Sequence, residues 1–234
     1  MATSQPVALV TGGGSGIGRA TAVRLDAAGY RVVLAGRRQE RLRETGGLLG
    51  NEWEAVRADL SEMSAAEGIV DAAVARFGRL DALINNAGWS PAATIPQTTP
   101  AIISAVFAVN AHAPAASIAR AWPHFERQGG GVVVNVSSYA TIDPFPQLYA
   151  YAAAKASVNL LARSVANAGR GMGIRGFAVA PGAVETEMLR AIVSEAMLPA
   201  DRTLSVDAVA AVIAACVLGL HDDRNGTVIL VPSP

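Results

Sequence analysis

Tyr151 and Lys155 stand four residues apart, and Lys155 is the single lysine among 19 basic residues, the other 18 being arginine (19 − 1). On a helix, positions i and i+4 share a face with Cβ atoms about 5–6 Å apart. An ammonium beside a phenol favours the phenolate and draws a tyrosine pKa below its ordinary value of about 10. A tyrosine tuned in that way exchanges a proton near neutral pH. Arginine would bring its charge as a wide planar fork, whereas lysine is a compact point donor that can hold sugar hydroxyls while facing a phenol. Taken alone, Tyr-x-x-x-Lys equally suits a surface lysine and an amphipathic helix.

Three further segments bear on the choice. Thr11-Gly12-Gly13-Gly14-Ser15-Gly16-Ile17-Gly18 follows an apolar run and opens a helical pattern, with five glycines in eight residues. Glycine lets the backbone turn tightly and approach a pyrophosphate, which a helix N-terminus then favours. Its spacing is Gly-x-x-x-Gly-x-Gly. The next apolar run ends in Leu34-Ala35-Gly36-Arg37-Arg38, with no acid before Glu40. An acid there would bond a ribose 2′-hydroxyl, whereas guanidinium groups suit a 2′-phosphate. NADP(H) is therefore favoured, with NAD(H) possible. Arg37 is the expected phosphate contact, Arg38 a second candidate, and Arg41 and Arg43 are expected on a solvated helix face. Asn85-Asn86-Ala87-Gly88 ends a later apolar run, and such small residues let a ligand cross a sheet edge, although they also make an ordinary turn.

The elements that must position these residues alternate. Short apolar runs are predicted as strands at 7–10, 31–35, 54–57, 82–84, 131–136, 174–179 and 227–231. Helices are predicted at 16–28, up to about 49, 62–77, through the 101–126 region, 149–168 and 206–220. Near-continuous apolar strands alternating with helices imply an α/β protein: a parallel sheet covered on both faces and joined by right-handed crossovers. The 234 residues show no repeat or linker, and one domain over 1–234 is expected.

Composition narrows the partners. Nineteen acids balance 19 bases, so neither nucleic acid nor an anionic membrane is expected. The single cysteine, Cys216, excludes an internal disulfide and falls in an apolar run, where a buried thiol is expected. His112, His124 and His221 lack metal-ligand spacing, so no metal is expected. Residues 1–6 are polar and carry no signal pattern, which points to a cytoplasmic protein. The stretch 101–119 has no charged residue, yet it contains Ser104, Asn110, His112, Pro114 and Ser117. It reads as a helix buried on most sides and bent at Pro114, not as a membrane span.

Thr11–Gly18, Asp59, Asn85–Gly88, Asn110, Ser138, Tyr151, Lys155 and Pro181-Gly182 with Thr186 resemble, in order and over nearly the whole chain, the short-chain dehydrogenase/reductase family. The branch resembled is that of the 3-oxoacyl-acyl-carrier-protein reductases. The resemblance implies a three-layer Rossmann fold with a seven-stranded parallel sheet of order 3-2-1-4-5-6-7. It implies that Tyr151 is an acid/base for a carbonyl or alcohol and that Lys155 bonds the nicotinamide ribose. Ser138, rather than Ser137, would hydrogen-bond the substrate oxygen, and Asn110 would hold a water leading to Lys155. Gly12, Gly14, Ser15, Gly16, Ile17 and Gly18 would cradle the cofactor. Asp59 and Leu60 would meet the adenine, Asn86, Ala87 and Gly88 would line the cofactor, and Pro181, Gly182, Val184 and Thr186 would lie at the nicotinamide end. A homodimer or homotetramer acting on a small carbonyl or alcohol is implied as well.

Two features depart from that family. The C-terminus lacks a glycine-rich Asp-Gly-Gly ending, and the segment after Pro181 is short, which suggests an open pocket. Trp89, Tyr139, Ala140, Phe145, Tyr149 and Met188 are candidates to line it. A non-catalytic NADP-binding sensor would be expected to lose Ser138, Tyr151 or Lys155, and all three are present. An epimerase or dehydratase would usually carry a longer C-terminal substrate region.

Overall fold

The computed structural model describes residues 5–234; the polar start at 1–4 lies outside the described residues. Seven parallel strands form one sheet in the order β3-β2-β1-β4-β5-β6-β7. They are β1 (Val7–Thr11), β2 (Arg31–Gly36), β3 (Trp53–Arg57), β4 (Ala82–Asn85), β5 (Gly131–Val136), β6 (Ile174–Pro181) and β7 (Val228–Val231). The principal helices are α1 (Gly16–Ala27), α2 (Gln39–Gly46), α3 (Met63–Phe77), α4 (Pro100–Phe107), α5 (Ala113–Gln128), α6 (Tyr149–Ala168), α7 (Glu187–Arg190) and α8 (Val206–Val217).

The central strands are buried on both faces because they are apolar along most of their length, and the two-residue period sends alternate side chains to opposite sides. Ala8 and Val10 of β1 pack with Leu25 of α1 and Ile213 of α8. Val7 and Leu9 pack with Ile69 of α3 and Phe125 of α5. The order reverses between β1 and β4, and the crevice outside their carboxyl ends is where such sheets take ligands.

Three expectations are corrected. α2 stops at Gly46 rather than near Leu49, because Gly46 packs on Trp53: a Cβ there would come within 2.6 Å of the indole. The long apolar helix is not bent at Pro114. Its irregularity is a π-helical turn at Ala108–His112, where the buried Asn110 side chain donates to the Val106 carbonyl at 2.8 Å, the acceptor a regular turn would use. Nor is that helix buried on most sides, since 39% of its most apolar window is buried. It packs against α3 and α6.

Candidate active site

The carboxyl ends of β1, β4, β5 and β6 open onto one cavity of about 1260 Å³. Thr11, the last residue of β1, ties the turns at its floor together. Its hydroxyl donates to Ile84 O at 3.2 Å and accepts from the backbone of Asn86 and Ala87 at 2.9 and 3.0 Å. Asn86 Nδ2 returns to Thr11 O at 2.8 Å. In the sequence Thr11 stands only at the start of the glycine motif, and no local signal marks this clamp, whose partners lie more than 70 residues away.

The glycine segment is built for close approach. Gly12 sits at φ +66° and Gly16 at +52°, conformations that favour glycine. A Cβ on Gly18 would clash with the Gly12 carbonyl and lie 2.5 Å from Asn86 Nδ2. The first turn of α1 carries no acid, and Ser15 caps it without a side-chain hydrogen bond. Its amides thus favour an anion, and no carboxylate of that turn competes. These features fit a dinucleotide pyrophosphate. Gly88 leaves space where a Cβ would meet Asn110 Oδ1 at 3.1 Å and Lys155 Nζ at 3.5 Å, so these two polar groups flank one point of the cavity floor.

A buried polar chain holds α6 in register with the sheet. Ser117 donates to Asn85 Oδ1 at 2.9 Å, Asn85 to Asn135 Oδ1 at 2.9 Å, and Asn135 to Val158 O at 3.1 Å. In a low-dielectric interior each member must be paired, and a complete chain of this kind gives the helix a single seating. One turn earlier on α6, Lys155 is buried and donates to Val136 O, the end of β5, at 2.7 Å. Tyr151 is also buried, with its ring centroid 5.6 Å from Lys155 Nζ and Ser138 near enough to its hydroxyl to lower the phenol pKa.

The competing residues separate cleanly. Ser137 is buried and donates to Lys155 O at 3.4 Å, a backbone contact, whereas Ser138 meets the Tyr151 hydroxyl. Tyr149 is exposed and does not line the cavity, which corrects its place among the pocket candidates; Trp89, Tyr139, Ala140, Phe145 and Met188 do line it. Asn110 donates to Trp89 O at 2.7 Å, fixing the turn after Gly88.

The electrostatics reverse one expectation. Burial pushes the Tyr151 phenol up to about 12, against a smaller lowering from the Ser138 hydrogen bond. Burial also brings Lys155 down to about 8. The i, i+4 spacing of the two residues speaks only of attraction between them. Desolvation of both opposes it, because each charged form is taken out of water.

At the other end of the cavity lie Gly36, Arg37, Arg38, Asp59 and Leu60. Asp59 accepts from Ser61 N and Oγ at 3.0 and 2.9 Å, which holds its carboxyl below the usual range, with the Arg37 charge a lesser cause. Arg41, expected on a solvated face, lines the cavity instead: Gly14 packs so closely that a Cβ would touch Arg41 Cβ at 3.0 Å. Gly14, Ser15, Gly16, Ile17, Ala87, Pro181, Gly182, Val184 and Thr186 all line the same space. Ser233, which the sequence reading did not consider, also lines it and accepts from Ala183 N at 2.8 Å.

The short chain dehydrogenase profile matches residues 6–196. The chain belongs to that family. It is 38% identical over 192 residues to a 2-(R)-hydroxypropyl-CoM dehydrogenase of Xanthobacter autotrophicus, covering 78% of this chain and 76% of that one. Among solved structures it resembles a 3-ketoacyl-(acyl-carrier-protein) reductase from Brucella melitensis complexed with NADH, at TM-score 0.90 and 29% identity over 97% of this chain and 96% of that one. A short chain dehydrogenase from Burkholderia cenocepacia in complex with NADP matches at TM-score 0.89 and 32% identity, covering 98% and 97%. As a member of this family the chain is an oxidoreductase of the NAD(P)-binding kind.

Proposed function

We propose that this short-chain dehydrogenase is an NADP(H)-preferring enzyme that interconverts a carbonyl and a secondary alcohol, with Tyr151 as general acid and base. The observation that carries the proposal is that Ser138, Tyr151 and Lys155 line the same cavity as the glycine cradle, with Lys155 Nζ 5.6 Å from the Tyr151 ring. When bound, the nicotinamide supplies or accepts the hydride at the substrate carbon. Tyr151 gives its proton to the carbonyl oxygen in reduction, and Ser138 donates a hydrogen bond to that oxygen as charge develops. The Lys155 ammonium then stabilises the tyrosinate left behind, and Asn110 holds a water through which the proton is restored. In oxidation the same groups run in reverse.

The preference for NADP rests on Arg37 and Arg38 at the end of β2, where the loop itself carries no acid before Glu40. Gly12 to Gly18 would hold the pyrophosphate. Asp59 and Leu60 would meet the adenine, Asn86 to Gly88 would line the groove, and Pro181 to Thr186 would seat the nicotinamide. We take residues 1–234 as one domain of a cytoplasmic homodimer or homotetramer, with the exposed Ile103 and Leu160 on helix faces available for association. A monomeric mass in light scattering would refute the assembly. The deciding experiment titrates the protein with NADPH and NADH and then follows the reduced nicotinamide signal over a panel of ketones and alcohols. Tighter NADPH binding with turnover supports the proposal; binding of neither cofactor sinks it.

A further inference from the structure

The cavity divides by charge along the sheet order. Arg37, Arg38 and Arg41 lie on the β2 side of the switch point, and Ser138 and Tyr151 lie on the β5–β6 side. The walls of that second half are apolar and left open to water: Met197 is 70% exposed, Phe145 42%, Met188 39% and Trp89 37%, with Ile192 and Val193 beside them. Large apolar side chains gathered at a cavity mouth mark a surface that binds an apolar body.

The charged groups contributed by the loops of this half are all acids: Asp143, Glu185 and Glu187. Arg190 and Thr203 hold Glu185, and Arg38 holds Glu187. Asp143 has no ion pair among the described residues; its backbone amide donates to Tyr139 O. The lysine of this half, Lys155, lies on the cavity floor beside Tyr151 and donates to Val136 O. A carboxylate or phosphate placed beside Asp143 would face an acid that has no cation paired with it among the described residues.

We propose, resting on the oxidoreductase reading above, that the substrate is a bulky and largely apolar ketone or secondary alcohol without negative charge. Asp143 rejects anions at the mouth and receives an ammonium group where the substrate carries one.

Three aryl methyl ketones with the same reacting carbonyl test this: methyl 4-acetylbenzoate, 4-acetylbenzoate and 4-(aminomethyl)acetophenone. With saturating NADPH, kcat/KM is expected to be at least ~10-fold lower for the carboxylate than for the ester, and highest for the amine. Asp143→Asn narrows the ratio of amine to carboxylate. Calorimetric titration of the Tyr151→Phe protein with the same compounds, where turnover does not interfere, is expected to give the same order. A carboxylate used as well as the ester, or a ratio that Asp143→Asn does not move, overturns the proposal. So does turnover of butan-2-one by a protein that ignores all three aryl ketones. If no carbonyl reacts with either cofactor, the oxidoreductase reading itself has failed and this proposal goes with it.

Discussion

Glu187 reaches across the cavity to Arg38, residues 149 apart in the chain whose Oε2 and Nη2 atoms lie 3.3 Å apart. Arg41 Nη2 lies 4.0 Å from the other carboxylate oxygen. Glu187 opens α7, directly after Thr186, so the pair links the segment beyond β6 to the end of β2. A ribose 2′-phosphate bound by Arg38 would have to displace this carboxylate. Both side chains are more than half exposed, so the pair is worth no more than about 1 kcal/mol. Glu187→Gln is therefore expected to tighten NADPH binding by about 2–5-fold and to leave NADH unchanged. Fluorescence titration reads both constants, and an equal change in the two would place Glu187 away from the phosphate.

Tyr151→Phe keeps the ring that packs in the α4–α6 cluster and removes the proton that the proposed chemistry needs. NADPH affinity should hold while kcat/KM falls at least ~10²-fold. A variant turning over near the parent rate would remove Tyr151 from the chemistry.

The two directions of reaction should respond oppositely to pH. Tyr151, at about 12, stays protonated through neutral pH and is ready to donate, whereas Lys155 loses its charge near about 8. For reduction, kcat/KM should be flat at neutral pH and decline above about 8 as the ammonium that stabilises the tyrosinate is lost. Alcohol oxidation starts from the tyrosinate and should climb with pH through the neutral range. A reduction profile that stays level well beyond the lysine titration would mean its charge plays no part.

Gly18→Ala tests the cradle. The added methyl would meet the Gly12 carbonyl and Asn86 Nδ2, and the second of these is held in the Thr11 clamp. Overpacking of this kind costs about 1–3 kcal/mol. Thermal melting should show that loss, and both nicotinamide dinucleotides should bind more weakly. Unchanged cofactor affinity would detach this glycine from the pyrophosphate.

The succession of strands and helices along the chain and the glycine turn were legible in the sequence because they follow from local periods, whereas the order of the strands across the sheet came only with the family resemblance. Apolar runs such as Val32–Ala35 admit only a sheet covered on both faces, and α6 was placed at Tyr149–Ala168, where it is found. The spacing of Tyr151 and Lys155 on one helix needed no tertiary information either. What the tertiary structure decided depends on residues distant in the chain. Thr11 binds a turn 75 residues away, Asn135 connects two strands to α6, and Asn110 trades a backbone hydrogen bond for a contact with Trp89. The protonation of Tyr151 and Lys155 also belongs to this class: their spacing speaks of attraction, but burial by the surrounding elements sets both pKa values. Local sequence carries propensity and period; desolvation and long-range pairing exist only once the chain has closed on itself.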